Sequence, residues 1–558
     1  MMRDSLNFIS QHARLQVMSV NLRTLVVNKS TKISEIIEIF SEISTDLLLV
    51  DENTIITKPH LELLTDYPRG TTTALVAPLF HGDVRVTGGR VAGASSKFHT
   101  LKGGNKTFVG ILSLSQNQRD SIITTLSAVK DNETYGEAID LVLVALVRAA
   151  VIVSPASLKA APFIRSSDDS AKAKVQEEIN GLNIARLRLK MANRANDGFF
   201  SVFVLRKFSK LFTWAAVRLK MTPNQVTLIS FAVGLLSAYE FSRGTFWSIF
   251  AGAVLLQLSL IIDCVDGELA RYTRQFSALG AWLDAITDRI KEYLVFFALA
   301  YGAAQNGRDL WIPAMVMMVF QTFRHLSDYN FARIKKVRSA DLPVIDFNQA
   351  SDGFIPVDKV KKSRFEYWSK KAVQFPIGER WLVISASSVI GGAAFTFTIM
   401  PILALISIVL VFRARVRKSR TWPKIRVNKN LIDDQLDFFK NKNSTNRFDW
   451  LEPSILRVIE GGVFIWAVSV TDLSRPAAFL LLFAILFGHY DNLYRALQGE
   501  HKPKWLSVAG GFILGRVVLL GIFLALGWSI VPLVWYFSVL FFVVSSIQWV
   551  AGHKARIK

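Results

Sequence analysis

The sequence predicts two kinds of structure in one chain: a soluble α/β domain, then an all-α polytopic membrane region of about ten transmembrane helices. The composition is strongly apolar, with 51% hydrophobic residues and a mean hydropathy of +0.31. It is also strongly basic, with 66 Lys and Arg against 44 Asp and Glu and a net charge of +22. Long apolar runs begin only at Val226. A positive hydropathy excludes a disordered polybasic chain. The remaining classes are a nucleic-acid-binding protein and a membrane protein with its basic residues on one side.

The first 165 residues read as a soluble α/β domain. Strand-like and helix-like runs alternate there, which favours a three-layer arrangement. The strands are predicted at 45–51, 71–77, 83–91 and 107–114, and a helix at 59–65. A polar linker rich in lysine and arginine follows at 166–199.

The rest of the chain contains ten segments that approach the roughly 20 apolar residues needed to cross a bilayer. Six lie in a predicted domain at 200–415 and four in a second membrane domain at 430–558. The segments are 226–242, 246–263, 283–303, 310–330, 381–397, 399–413, 454–470, 476–492, 505–526 and 528–549.

Charge is distributed unequally between the loops that join these segments. The predicted outer loops contain Arg243, Arg308 and Arg475 and no lysine, whereas the inner loops include the basic stretches 333–380 and 413–442. The positive-inside rule therefore places both termini on the cytoplasmic side of the cytoplasmic membrane. The excess of basic residues then meets anionic lipid. No nucleic-acid partner is expected, because zinc-finger spacing, a basic region with heptads and aromatic RNA-binding signatures are all absent from the sequence.

Residues 201–220 precede the first span and have the pattern of an interfacial helix. Apolar residues recur there at spacings of three and four, while most basic residues leave that face. The apolar positions are Leu205, Phe208, Phe212, Ala215 and Leu219. A core helix of the soluble domain is the alternative. Asn224 and Thr227 are expected to cap the first span rather than to contact a nucleotide.

Four aspartates flank the boundary between the second and third spans. Asp263 and Asp266 are three residues apart, and Asp284 and Asp288 are four apart, so each pair shares one helix face. If the two helices are neighbours, the four carboxylates converge at the inner membrane boundary. Oxygen ligands without His or Cys suit Mg²⁺ or Mn²⁺, and two such ions would form a clamp for phosphoryl-type transfer.

Small and basic residues are interleaved with these acids. Gly267, Ala270 and Gly280 would let a nucleotide or phosphate approach the helix backbone, and Arg271 could form a forked contact with a phosphate. The alternative is a juxtamembrane salt-bridge network in which the acids pair with Arg271, Arg274, Arg289 and Lys291. That alternative does not explain why the small residues alternate with the acids.

The run Asp263-x2-Asp266-Gly267-x2-Ala270-Arg271-x8-Gly280-x3-Asp284-x3-Asp288 resembles the signature of the CDP-alcohol phosphotransferases. All eight specified positions are present, and the resemblance covers about residues 195–415. It implies that a CDP-linked alcohol donates its phosphoalcohol group to an acceptor hydroxyl and that CMP leaves. It also implies that Asp263, Asp266 and Asp284 bind metal, that Asp288 borders the metals and is the base, and that Gly267, Ala270, Arg271 and Gly280 line the CDP site.

The resemblance extends weakly to the N-terminal domain, since some relatives are fused to a nucleotidyltransferase that makes the CDP-alcohol. That activity needs an early glycine-rich phosphate loop, and residues 1–50 contain no glycine. We therefore interpret 1–165 as a degenerate, non-catalytic domain. Asp51 is read as a strand-end turn residue rather than a metal ligand.

Other polar residues lie within the predicted spans. Arg324 and Asp328 are candidates to bind the acceptor, although their spacing of four also allows them to pair with each other. His325 is expected to be a hydrogen-bonded interior residue. In the C-terminal domain, whose role the sequence does not reveal, Glu460 and Arg516 are predicted to pair, because an unpaired charge in a span is costly.

The leading hypothesis is a metal-dependent CDP-alcohol phosphatidyltransferase of polar-lipid synthesis, with CDP-diacylglycerol as the expected donor. The acceptor is left open between inositol phosphate, glycerol phosphate and other polyols. The family resemblance also makes a homodimer an expectation. The alternatives are a ten-helix transporter with an acidic cation site and an inactive scaffold.

Overall fold

The computed structural model describes residues 23–557 except 66–70, 79–81, 88, 96–100, 102–103, 130–136, 159–160, 193–197, 339–367, 370–371, 423–426, 429–442, 445 and 498–501. These residues fall into two compact units, divided between Lys190 and Met191. The predicted boundaries at 165, 199, 415 and 430 stay a prediction.

The first unit is built on a mixed five-stranded sheet of order β1-β2-β7-β4-β8. β1 pairs with β2 and β4 with β8 in parallel, whereas β7 is antiparallel to both of its neighbours. Short antiparallel pairs β3–β9 and β5–β6 accompany it. The strands are β1 Arg23–Val27, β2 Leu47–Asp51, β3 Thr54–Ile55, β4 Thr73–Ala77, β5 Val84–Thr87, β6 Arg90–Ala94, β7 Thr107–Leu114, β8 Ser154–Ser157 and β9 Ile164–Arg165.

Alternating residues of these strands serve two separate cores, one on each face of the sheet. Leu47 and Leu49 pack in the larger core with helices α1, α3 and α4, whereas Leu48 packs in the smaller core beside Leu64 of α2. The three-layer α/β prediction is thereby confirmed. The helices are α1 Ile33–Glu42, α2 Lys58–Thr65, α3 Arg119–Ser127, α4 Ala138–Arg148, α5 Asp169–Asn180 and α6 Ile184–Ala192.

The second unit is helical, apart from a two-stranded pair at Val427–Asn428 and Asn443–Ser444. A π-helical turn, Ser201–Leu205, precedes α7, and another, Val539–Val544, precedes α18. The helices are α7 Arg206–Arg218, α8 Pro223–Ser242, α9 Phe246–Thr273, α10 Ala278–Gln305, α11 Trp311–Arg338, α12 Ile377–Arg420, α13 Glu452–Val470, α14 Arg475–Leu497, α15 Lys504–Ala509, α16 Phe512–Ala525, α17 Val531–Ser538 and α18 Ser545–Ile557.

Seven helices in the described part of the chain are long and apolar enough to span a membrane. An integral membrane protein is therefore supported, and each of the ten predicted segments lies mostly within helix. Helices α10 and α11, which contain the third and fourth predicted spans, are not among these seven helices, although each has 28 residues. Both carry several charged side chains, which lowers their hydropathy. Their length of about 42 Å still suffices for a bilayer core.

The 44-residue helix α12 is a helical hairpin and contains two of the predicted spans. Gly392, at φ 70° and ψ −169°, interrupts the helical backbone. Beyond it, the Ser407 hydroxyl donates to the Val373 carbonyl at 2.6 Å. A straight helix would hold residues 34 positions apart at about 50 Å, so the chain must reverse. The reversal occurs at Gly392 rather than at the predicted residue 398.

The predicted interfacial helix exists and presents an apolar surface outward. Phe208, Leu211 and Leu219 are exposed, at 53%, 64% and 72%. The opposite face is polar and buried, because Arg206, Ser209 and Thr213 contact Glu268 of α9. An exposed aromatic and aliphatic face backed by a buried polar one fits a helix that lies in the membrane interface. Leu205 departs from the predicted face and is buried.

Candidate functional site

Helices α9 and α10 both pack against α8, and this arrangement brings the acidic residues of the motif together. One carboxylate oxygen from each of Asp263, Asp284 and Asp288 lies within 4.8 Å of the others. Hydroxyl caps set the ends of these helices, since Thr245 accepts from the Ser248 amide and Ser277 from the Gly280 amide. The predicted convergence at the boundary of the second and third spans is therefore observed for three of the four aspartates.

A lysine from α10 completes this group. Lys291 Nζ lies 2.7 Å from Asp263 Oδ1 and 3.0 Å from Asp288 Oδ1, and it donates to the Ser230 hydroxyl at 3.0 Å. The lysine stem crosses Gly234 of α8, where an added Cβ would lie 2.6 Å from Lys291 Cδ. Glycine at 234 therefore provides the space that this fully buried side chain needs.

Asp266 lies beside the group but is held separately. Its Oδ2 accepts a 2.6 Å hydrogen bond from the Thr227 hydroxyl, and the side chain is buried. Thr227 was expected to cap the first span, and this expectation is wrong. The cap is Thr222, which forms a reciprocal capping box with Gln225. Thr227, one turn further along, is left to orient the carboxylate.

The donor set fits a divalent cation. Three carboxylates converge, and the side chains of Asp263 and Asp288 are only 12% and 15% exposed. The ammonium of Lys291 compensates one of the three charges, which leaves the group acidic within a basic protein. Oxygen ligands from carboxylates suit hard cations such as Mg²⁺ and Mn²⁺. The salt-bridge alternative thus applies to Lys291 but does not account for the whole cluster. Arg289 reaches Asp288 Oδ2 only at 3.9 Å and directs its other terminal nitrogen to Glu292 at 2.7 Å.

The residues predicted to bind the nucleotide lie in the same stretch of sequence as the aspartates. An added Cβ at Gly267 would lie 3.1 Å from an Arg271 guanidinium nitrogen, so Arg271 folds back over this glycine. Arg271 also donates to the Ala192 carbonyl. An added Cβ at Gly280 would approach Asn224 Oδ1 and Ser277 Oγ to 2.8 Å. Gly267, Gly280 and Ala270 are all partly exposed, so a ligand can reach the backbone at these positions.

Residues 220–344, which contain this cluster, match the family model described as CDP-alcohol phosphatidyltransferase. This segment is therefore similar to the CDP-alcohol phosphatidyltransferase family, and the match favours the enzyme over the transporter. A second model, described as a family of unknown function, matches residues 394–555.

Several curated proteins are similar to this segment, and two of the three described here are named as inositol phosphate lipid synthases. The bifunctional IPC transferase and DIPP synthase of Archaeoglobus fulgidus is 34% identical, over 26% of this chain and 29% of that protein. The archaetidylinositol phosphate synthase of Pyrococcus horikoshii is 39% identical, over 15% of this chain and 43% of that protein. The phosphatidylinositol phosphate synthase of Mycolicibacterium smegmatis is 35% identical, over 18% and 43%.

The chain therefore spans less than half the length of each of these relatives. A solved structure, the inositol-1-phosphate CTP transferase from T. maritima, is 13% identical over 26% of this chain and 62% of that chain, with a TM-score of 0.21. A similarity this low supports no inference about the transferase.

The candidate acceptor residues of the transferase lie on α11. Arg324 is 6% exposed, and one of its terminal guanidinium nitrogens has no hydrogen-bond partner among the described residues. Its Nε lies 3.9 Å from Asp328 Oδ2, so the predicted pairing is weak. Asp328 pairs more closely with Arg415 of α12. Between them, His325 is half-buried and hydrogen-bonded to Arg289, Gln321 and Tyr490, as expected for an interior histidine.

The predicted pair in the C-terminal helices is confirmed. Arg516 Nε donates to Glu460 Oε1 at 2.6 Å, and both side chains are almost fully buried. His489 Nε2 lies 2.7 Å from the other oxygen of Glu460. A buried charge is costly without such partners, so three helices of this region are tied together by one carboxylate.

In the N-terminal domain, Asp51 is neutralised by an arginine. Arg165 Nε lies 2.6 Å from Asp51 Oδ2, and its terminal nitrogens lie 2.9–3.0 Å from Asp140 and Glu137. Burial by itself would lower the pKa of Arg165, but the hydrogen bonds and charges of Asp140 and Asp51 outweigh burial and raise that pKa. Gly110 gives the guanidinium its space, since an added Cβ would lie 2.8 Å from Arg165 Nε.

The sequence analysis did not identify Ser230, and it gave Thr227 and Lys291 roles other than the ones they have in the site. Lys291 was considered only as part of the salt-bridge alternative. A helical wheel of 284–291 would have revealed it, because Asp284, Asp288 and Lys291 share one face. Thr227 and Ser230 have no comparable signal, since hydroxyl residues are common in apolar helices.

Proposed function

We propose that this protein transfers a phosphoalcohol group from a CDP-alcohol to an acceptor hydroxyl, with release of CMP, in polar-lipid synthesis. One observation carries the proposal. Three of the four motif aspartates, contributed by two helices, come within 4.8 Å of one another inside a segment that matches the transferase family. The fourth, Asp266, is buried beside them and held by Thr227.

The reaction is a substitution at the phosphorus atom that carries the donor's alcohol. The acceptor oxygen forms a bond to this phosphorus, and the bond to the bridging oxygen of the diphosphate breaks as CMP leaves. Asp288 takes the acceptor's proton, and Asp263, Asp266, Asp284 and Asp288 would hold Mg²⁺ or Mn²⁺, two ions in all. Bound metal supplies positive charge that offsets the charge developing on the leaving CMP.

Residues of the motif that carry no acid would bind the nucleotide. Gly267, Ala270 and Gly280 expose backbone to the ligand, and Arg271 lies over Gly267, where its guanidinium could turn toward a phosphate. Asn224 lies beside Gly280 and supplies a side-chain amide at the same place.

The acceptor we propose is a phosphorylated polyol, with inositol phosphate as the first candidate. Arg324 supports it, because a buried guanidinium nitrogen that has no hydrogen-bond partner among the described residues suits an anionic group. Asp328, 37% exposed on its side chain, would accept from an acceptor hydroxyl. The names of the relatives above point to the same chemistry. CDP-diacylglycerol is the proposed donor.

The remaining parts of the chain complete the proposal. The site and both termini face the cytoplasm, and the enzyme is a homodimer. The domains are 1–165, the linker 166–199, the transferase 200–415 and the C-terminal membrane domain 430–558. The N-terminal domain is a degenerate, non-catalytic nucleotidyltransferase-like domain, since Arg165 occupies the position beside Asp51 that a metal would need.

One assay tests the proposal. Purified protein in lipid nanodiscs is supplied with Mn²⁺, CDP-diacylglycerol and a panel of alcohols that includes inositol phosphate, inositol and glycerol phosphate, and CMP is measured. We expect CMP release that depends on metal, on the acceptor and on Asp288. Metal-ion flux across vesicles without any CMP release would overturn the proposal in favour of a transporter.

A further inference from the structure

Helix α14 lies in residues 394–555, the segment that matches the second family model, and it is buried within the helical unit. In α14, 83% of the apolar window is buried, against 17% to 44% in the other six candidate spans of the described residues. Such burial is expected of a helix surrounded by protein rather than by lipid. The C-terminal segment therefore does not simply sit at the edge of the transferase.

Two adjacent residues of α14 contact the helix that carries Asp284 and Asp288. The Trp282 indole donates to Asp491 Oδ1 at 2.9 Å. Tyr490 receives a 3.3 Å hydrogen bond from the Tyr293 hydroxyl, and its ring lies 6.0 Å from the Arg289 guanidinium. The two anchor points, at 282 and at 289–293, lie on either side of the acidic pair in the sequence.

Asp491 is itself held firmly by the C-terminal helices. Arg495 Nε donates to its Oδ1 at 2.9 Å, and Lys502 Nζ lies 2.9 Å from its Oδ2. The Ser545 hydroxyl donates to the same Oδ2. Asp491 is fully buried, so Trp282 is tied to a fixed point rather than to a mobile surface group.

Tyr490 reaches the site along a second route. Its hydroxyl lies 2.9 Å from His325 Nδ1, and His325 lies 3.0 Å from an Arg289 terminal nitrogen. Arg289 follows Asp288 in the chain. The tyrosine thus holds α11 and α10 together one residue away from the proposed base.

These anchors and the acidic residues occupy opposite faces of α10. At about 100° per residue, Trp282, Arg289 and Tyr293 fall within about 40° of one another. On the same basis, Asp284, Asp288 and Lys291 lie roughly 180° to 240° around the helix from Trp282. Contacts on the first face therefore fix the rotation of the helix, and with it the direction of the carboxylates.

We propose that α14 braces the catalytic helix, with Tyr490 and Asp491 as positioning residues for the transfer reaction. The proposal rests on the proposed function for its kinetic consequence. Reacting groups must be held within about 0.5 Å and 10–20° of the productive geometry. A misplacement of about 1 Å can cost about a hundredfold in rate. A brace of this kind gives the C-terminal segment a role that its sequence does not suggest.

The test uses the full chain in nanodiscs and two variants, Trp282→Phe and Tyr490→Phe. Each variant removes one hydrogen-bonding group, the indole N–H or the hydroxyl. Each is assayed for CMP release and for Mn²⁺ affinity, the latter from the electron paramagnetic resonance signal of free Mn²⁺. We expect kcat to fall about tenfold in each while KM for the donor changes less than about threefold, as misplacement of a reacting group requires. Mn²⁺ affinity should fall as well, because Asp284 and Asp288 lose their orientation.

The matched control is Tyr536→Phe, which changes a half-exposed tyrosine whose hydroxyl donates to the Ala509 carbonyl within the C-terminal helices. It should match the unchanged protein in both assays. The proposal is overturned if kcat and Mn²⁺ affinity both stay within about twofold of the unchanged protein in Tyr490→Phe, the milder variant. If the unchanged protein binds Mn²⁺ but releases no CMP, the proposed function fails, and Mn²⁺ affinity alone decides on the brace.

Discussion

The ammonium group of Lys291 lies 2.7 Å from Oδ1 of Asp263 on the neighbouring helix. A cation is therefore built into the acidic cluster, where it also reaches Asp288 at 3.0 Å. Carboxylates this close repel one another when ionised, and Lys291 reduces that repulsion in the metal-free protein. A bound metal ion and Lys291 would therefore both offset the negative charge of the same carboxylates.

Replacing Lys291 with methionine should make the protein depend on metal for its stability. We expect the metal-free variant to lose about 3 kcal/mol, as when a buried ion pair loses one partner. Added Mn²⁺ should raise its Tm by more than it raises that of the unchanged protein. Thermal unfolding with EDTA and with Mn²⁺ measures both effects. The control is Lys210→Met, on the exposed face of α7. The prediction would be contradicted if Mn²⁺ raised the Tm of Lys291→Met and of the unchanged protein equally.

Asp288→Asn should abolish transfer while leaving the fold and CDP binding largely intact. The amide cannot take the acceptor's proton, and loss of a general base costs at least about a hundredfold in rate. CMP release and calorimetric titration with CDP give the two measurements. Asp309→Asn, which changes a half-exposed acid in a predicted outer loop, should have no effect on either. Transfer at the original rate in Asp288→Asn would show that the base is another residue.

Thr227→Val should weaken use of the donor. The change keeps the shape of the side chain but removes the 2.6 Å hydrogen bond to Asp266. A hydrogen bond to a charged group is worth about 1.5–3 kcal/mol, so kcat/KM for the CDP-alcohol should fall about tenfold or more. Thr227→Ser retains the hydroxyl and should recover most of the loss. Equal rates in the Val and Ser variants would mean that the bond does not matter for catalysis.

Arg324→Gln should act on the acceptor and not on the donor. Removing the guanidinium should raise KM for a phosphorylated acceptor about tenfold, while KM for the CDP-alcohol stays the same. Steady-state kinetics with each substrate varied in turn separate the two. Arg308→Gln, which changes an exposed residue of a predicted outer loop, is the control. An equal rise in both constants would point to general damage to α11 instead of acceptor binding.

Glu460 and Arg516 should show strong energetic coupling. The free energy of unfolding in detergent and SDS is measured for Glu460→Gln, Arg516→Gln and the double variant. Because the two charges touch at 2.6 Å in the protein interior, we expect a coupling energy of about 1–3 kcal/mol. Additive effects within about 0.3 kcal/mol would remove the pair as a source of stability.

The sequence was a good guide to local structure and to the type of site. The ten apolar segments are mostly helical, and the strands predicted at 45–51, 71–77 and 107–114 are present, the first two starting two residues later. The motif also located the aspartates that converge. The prediction was less accurate for the position of the reversal between the two spans of α12. The apolar pattern placed the reversal at residue 398, whereas the backbone of Gly392 and the contact from Ser407 to Val373 place it at residue 392.

The sequence by itself determined which residues carry the proposed chemistry, because motif spacing and helix periodicity place aspartates on common faces. The tertiary structure decided how those residues are held. It selected Thr227 and Lys291 as their partners and brought Asp491 to Trp282 across 209 residues. Such pairings depend on the rotation and register of whole helices, which are set by packing between distant segments, whereas periodicity along the chain reports only the faces of one helix at a time.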